Sequence, residues 1–118
     1  MLKLKRIYDA PAKDDGARIL VDRLWPRGVS KLRAKLANWE KDIAPSTALR
    51  EEFHHDPDKF ALFTRAYSNE LKKNPIAENF INETKGLLKK GNVTLLTASK
   101  DINLSNAIVL KNYIEKNL

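Results

Sequence analysis

The chain has 118 residues, 42% hydrophobic and 31% charged, which fits one soluble domain with one core and leaves no room for separate catalytic and regulatory units. Twenty-two Lys and Arg against 15 Asp and Glu give a net charge of +7, an excess that attracts anions in general: phosphorylated metabolites, nucleic acid or acidic membrane. Cysteine is absent, which excludes disulfides, thiolate catalysis and Cys-type zinc sites. No apolar run nears the roughly 20 residues that span a bilayer. The expected setting is the cytoplasm, with no membrane contact.

The opening "LKLKRIY", residues 2 to 8, alternates apolar and basic side chains and reads as a strand, not a signal peptide. "DAPAKDDG", residues 9 to 16, is a loop. "ARILVDRL", residues 17 to 24, has the continuous apolar centre of a strand buried on both faces, ended by Pro26 and Gly28. Ser30 is placed to cap a helix running to about residue 42, with Leu32, Leu36, Trp39 and Ile43 as its core stripe. Pro45 breaks that pattern, and Ser46 caps a short helix, "TALREEFHH".

Asp56 and Pro57 begin a further helix with Phe60, Phe63, Tyr67 and Leu71 along one face. Asn74 and Pro75 repeat the device for a helix carrying Ile76, Phe80, Thr84 and Leu87, with Gly91 as its stop. "VTLLTAS", residues 93 to 99, is the clearest strand, and a last helix spans roughly residues 104 to 116. The expectation is one α/β domain over residues 1 to 118: a small, largely parallel three-strand sheet covered by about five helices. The link between the first two strands is too short for a usual crossover. Either it returns as extended chain or the pair is antiparallel.

Ligands of open α/β sheets sit beyond the carboxyl ends of the strands. The second strand ends in Asp22, Arg23, Trp25 and Arg27; the third ends in Ser99 and Asp101, with Asn106 opening the last helix. Planar guanidinium forks suit phosphate or carboxylate, and an indole offers a stacking face. Arg50 and His55 on the "APSTALREEFHHDP" segment are further candidates. Each residue also has a structural reading. Asp22 caps a helix or pairs with Arg23 or Arg50, Trp25 covers the end of the core, and the two histidines close a helix. In an extended chain Arg23 and Trp25 share a face with Asp22 opposite, so all three meet one ligand only if the chain bends. Adjacent His54 and His55 diverge by about 100° on a helix, and no metal site or cofactor is expected. Asp22 is the first candidate general base, although the sequence supplies neither a positioned proton donor nor a raised pKa.

Taken together, "RIYD", "LVDRLWPRG", "APSTALREEFHHDP", "FTRAYSNEL", "VTLLTASKD" and "NAIVL" resemble the small YeaO-like proteins, a bacterial and archaeal family of domains of unknown function. The resemblance runs in order over nearly the whole chain. It implies a compact α/β domain with a largely parallel sheet and no established activity. A wider group similar to this family often carries Cys in the last strand and Cys-His-Arg at the following helix. Here Thr97 or Ala98, and Ser105, Asn106 and Ala107, occupy that ground, so any thiol or Cys/His function of those relatives does not carry over.

Two functions follow as expectations. The first is a site for a small phosphate- or carboxylate-bearing anion, with enzymatic turnover left open. The alternative is a basic nucleic-acid-binding or stress-associated accessory protein, motivated by the charge and by Trp25 and Trp39. A module that associates with itself or with a partner protein is a third reading.

Overall fold

The computed structural model describes residues 1–54 and 56–118. Four strands form one parallel sheet: β1 (Leu2–Arg6), β2 (Ala17–Leu20), β3 (Asn38–Trp39) and β4 (Val93–Thr97). Their spatial order is β1-β4-β2-β3. The helices are α1 (Lys31–Ala34), α2 (Thr47–Phe53), α3 (Phe60–Lys73), α4 (Ala77–Leu88) and α5 (Asn106–Lys116). The expected sheet of three strands thus gains a fourth, short edge strand.

β4 lies in the middle of the sheet, which is why its five residues, Thr94 and Thr97 included, are all buried and why its sequence shows no apolar–polar alternation. Leu2 pairs with Val93 on one side of it and Ala17 pairs with Val93 on the other. β1 and β2 are therefore parallel but not neighbours. The segment between them returns as extended chain with one 3-10 turn, Lys13–Asp15, and no helix is needed.

Side chains alternate across the strands. Ile19, Val21, Val93 and Leu95 join the main core with the α3 stripe of Phe63, Tyr67 and Leu71. From α4 come Phe80 and Ile81, and from α5 Ala107, Leu110 and Ile114. The Tyr67 hydroxyl is buried in this layer and donates to the Ile43 carbonyl at 2.6 Å. Leu20, Leu96 and Ile7 face the other way, into a smaller core closed by Ala34, Trp25, Val29, Leu36 and Trp39.

The predicted helix from Ser30 to about residue 42 is the main correction. Ser30 does cap a helix, its hydroxyl accepting from the Arg33 N–H at 3.1 Å. That helix ends after Ala34, where Lys35 turns left-handed at φ 48°. Its single turn carries Lys31 and Arg33 but no acid, so nothing offsets the positive end of the helix dipole. Beyond it, β2 needs a partner for its outer edge. The Ala37 and Glu40 N–H groups donate to the Arg18 and Leu20 carbonyls at 2.8 and 2.9 Å. Leu32, expected inward, is 87% exposed.

A buried ion pair fastens this second layer. Asp15 and Arg18 are both buried, and Arg18 Nη1 donates to Asp15 Oδ2 at 2.6 Å. The Lys5 ammonium reaches the same carboxylate at 3.1 Å. Arg18 Nε donates to the Ala34 carbonyl at 2.9 Å, tying the short helix to the sheet. Among the described residues Arg18 Nη2 has no partner.

Candidate functional site

The carboxyl ends of β2 and β4 open into a cleft of about 770 Å³. Asp22, Arg23, Trp25 and Arg27 line one side of it, Arg50 of α2 another, and Ser99, Asp101 and Asn106 a third. Those eight predicted residues share one cavity; His55 lies outside the described residues. What brings Asp22, Arg23 and Trp25 together is a bend at Arg23 and Leu24, before Pro26. The extended geometry that would have set Asp22 opposite the other two is therefore not adopted.

Asp22 sits at the junction. Its Oδ1 accepts from the Thr97 hydroxyl at 2.9 Å and its Oδ2 from the Ala98 N–H at 2.7 Å. The Trp39 indole N–H donates to the Asp22 carbonyl at 2.7 Å. Asn106 of α5 donates to the Val21 carbonyl at 3.0 Å. One short segment thus ties β2 to β3, β4 and α5. Burial pushes the Asp22 carboxyl above the usual aspartate range, against the pull of the Ala98 N–H, Thr97, Asn106 and the Arg50 charge. A carboxyl with a raised folded-state pKa adds stability below its unfolded pKa and loses it as pH rises through the folded one.

The arginines are not equivalent. Arg23 is committed to the wall: its Nε and Nη2 donate to the Pro45 and Ala44 carbonyls at 3.2 and 3.0 Å. Arg27 is exposed at the rim, and its carbonyl accepts from the Tyr8 hydroxyl at 2.9 Å. Arg50 is half-buried. Its charge acts on Asp22, yet the hydrogen bonds and ion pairs among the described residues include none from its guanidinium. The structure therefore realises neither the Asp22–Arg23 nor the Asp22–Arg50 ion pair.

The tryptophans are largely occupied. Trp25 donates its indole N–H to the Val29 carbonyl at 2.7 Å and meets Trp39 edge to face, centroids 5.3 Å apart. Lys41 lies over the Trp39 ring at 5.4 Å. Asp101 caps the following 3-10 turn by accepting from the Asn103 N–H at 2.9 Å. Ser105 caps α5, accepting from Ile108 and donating to the Ile102 carbonyl. Among the described residues no group of three potential metal ligands forms, and no helix is long and apolar enough to cross a membrane.

Two supports of the cleft lie outside the predicted site residues. Arg6 ends β1 and donates through Nε to the Ser99 carbonyl at 2.9 Å. Glu70 of α3 grips the start of α2, its Oε1 accepting from the Ser46 N–H at 2.9 Å and its Oε2 from the Ser46 hydroxyl at 2.6 Å. Glu70 sits three residues after the buried Tyr67 on a helix otherwise readable by its stripe, and that placement was the one available signal.

A parallel α/β domain with a cation-bearing cleft at its strand ends is the class of protein this geometry defines. The chain belongs to the inactive DUF488-N3 subclade, whose family model matches residues 1–118. It is 39% identical over 113 residues to the uncharacterized protein YeaO of Escherichia coli, covering 96% of each chain. It is 38% identical over 109 residues to the uncharacterized proteins Mb3100c of Mycobacterium bovis and Rv3073c of Mycobacterium tuberculosis, covering 92% of this chain and 89% of theirs. The YeaO-like resemblance therefore holds over the whole domain. No solved structure matches the chain.

Proposed function

We propose that the cleft binds a small anion bearing phosphate or carboxylate, with Arg50 as its principal contact, and that it does so without turnover. The supporting observation is Arg50 itself: a half-buried guanidinium lining a cavity, with no acceptor among the described residues. A guanidinium that lines a cleft and makes no hydrogen bond to the protein keeps its planar fork free for a bidentate oxyanion. Asn106 and the N-terminal end of α5 lie on the same cavity.

Turnover is not supported. The Ser105 hydroxyl is held in its cap. The Ser99 hydroxyl contacts only Thr97 Oγ1, at 3.5 Å, among the described residues, so no base activates it. The description of the subclade as inactive agrees with this. Nucleic-acid binding is the weaker reading, because Trp25 and Trp39 pack on each other within the second core and their indole N–H groups are engaged. A cytoplasmic protein meeting a soluble anion is the setting this reading assumes.

Calorimetric titration with inorganic phosphate at fixed ionic strength tests the reading. Wild type binds, and Arg50→Ala binds about 10- to 100-fold more weakly, the share expected of a charge-assisted contact. The variant's unfolding midpoint stays close to wild type, since alanine suits the middle of α2. Equal phosphate affinity in the two proteins overturns the assignment.

A further inference from the structure

Asp22 is an odd companion for an anion. It lines the cleft beside Arg50, and a carboxylate there repels any fully ionised ligand. Beyond the hydrogen bonds from Thr97 and Ala98 and the influence of Asn106, its two oxygens keep capacity to accept. Neither Arg23 nor Arg50 neutralises it by an ion pair. Arg23 is turned to the Ala44 and Pro45 carbonyls, and Arg50 acts on Asp22 only across the intervening space. The cavity therefore places a strong acceptor and a strong donor close together, unjoined.

A group that fits between them accepts from the guanidinium and donates to the carboxylate. An oxyanion that keeps a proton does both through one acid group: P–O⁻ faces Arg50 and P–OH faces Asp22. A fully deprotonated oxyanion of the same shape satisfies Arg50 but sets oxygen lone pairs against Asp22, with repulsion in place of a hydrogen bond.

We infer that the cleft selects a proton-carrying oxyanion, that is hydrogen phosphate or the monoanion of a phosphomonoester, over a fully deprotonated one such as sulfate. This rests on the anion-binding reading above and narrows it: the carboxylate alternative falls behind, because an ionised carboxylate has no proton to donate.

The test is a pair of titrations near neutral pH at fixed ionic strength, with inorganic phosphate, which keeps at least one proton, and with sulfate, which keeps none. Wild type is expected to bind phosphate at least about tenfold more tightly than sulfate, the worth of one hydrogen bond to a charged group. In Asp22→Asn that preference should disappear, chiefly because sulfate binds better. The substitution preserves the local bonds, since the amide oxygen accepts from Ala98 and the amide nitrogen donates to a reoriented Thr97 hydroxyl. Equal binding of the two anions by wild type, or a preference that survives in Asp22→Asn, overturns the selectivity while leaving an anion site. If neither anion binds wild type, the site reading falls with it. Should Asp22→Asn fail to fold, the wild-type comparison decides alone.

Discussion

Gly16→Ala is expected to remove about 2–6 kcal/mol of the protein's stability. Gly16 has φ 65° and ψ −134°, a region open essentially to glycine alone. A Cβ there would lie 2.0 Å from the Asn92 carbonyl oxygen and 2.6 Å from its carbon. Both are backbone atoms with no freedom to retreat. The same carbonyl accepts the Ala17 N–H at 2.9 Å, and the Asn92 side chain donates to the Asp14 carbonyl at 2.7 Å. Backbone strain and overpacking each cost about 1–3 kcal/mol, so the sum is about 2–6 kcal/mol against a total stability of about 5–15 kcal/mol. Equilibrium urea unfolding measures it, and a loss under about 1 kcal/mol would contradict the packing described. Gly86 in α4, with nothing within 4 Å of an added methyl, is the control: alanine there should stabilise by about 0.5–1 kcal/mol. The consequence reaches the cleft. The Gly16 turn starts β2 opposite Val93, and that register carries Asp22 to Thr97.

Asp15→Asn is expected to cost about 3 kcal/mol, the loss typical when one member of a buried ion pair is removed and the other stays charged. Asp15 is 2% exposed and Arg18 5%. Asparagine keeps an acceptor but leaves the Arg18 charge uncompensated, and Arg18 Nη2 already lacks a partner among the described residues. The pH dependence has a definite sign. Burial alone would raise the Asp15 carboxyl, but the Ala12 N–H, Lys5 and Arg18 together hold it below the usual 3.8. A depressed folded-state pKa adds stability above the unfolded value, and that stability is lost as pH falls through the folded one. Wild type should therefore lose stability in the acid range by an amount that Asp15→Asn no longer shows. Urea midpoints measured across that range check both parts, and an unchanged acid limb in the variant would contradict the role given to Asp15. Asp22 has the opposite sign, so the two carboxyls are separable by the direction of their pH effect.

These two residues show what a sequence conveys and what it conceals. In sequence Asp15 stands in a loop and Arg18 at the start of an apolar strand; only the return of the chain over the sheet makes them a pair. β4 was legible because a central parallel strand is buried on both faces, and "VTLLT" is an uncharged run of strand-favouring residues with no turn signal inside it. α3 was legible because Phe63, Tyr67 and Leu71 repeat at the helical period. β3 was not, because two residues carry no period. The spacing of Leu32, Leu36, Trp39 and Ile43 imitates a helix stripe, while in the fold Leu36 and Trp39 face the smaller core, Ile43 the main one and Leu32 solvent.

The site follows the same division. That polar residues collect at strand ends is a property of α/β topology, and the sequence alone puts Asp22, Ser99, Asp101 and Asn106 near one another, with Arg50 a further candidate from the helix after Ser46. Which arginine is free is a matter of local bonding. Arg23 is adjacent to Asp22 in sequence and turns away to two carbonyls. Arg50, 28 positions further along, keeps its guanidinium uncommitted among the described residues.

The central claim is that this uncommitted guanidinium receives an anion. Backbone amide shifts of the isotope-labelled protein, followed as inorganic phosphate is added at fixed ionic strength, test it most directly. The account predicts saturable changes confined to residues lining the cleft, around Asp22 to Arg27, Arg50 and Ala98 to Asn106, and their absence in Arg50→Ala. Changes spread over the surface lysines, or localised changes that persist in Arg50→Ala, would contradict it.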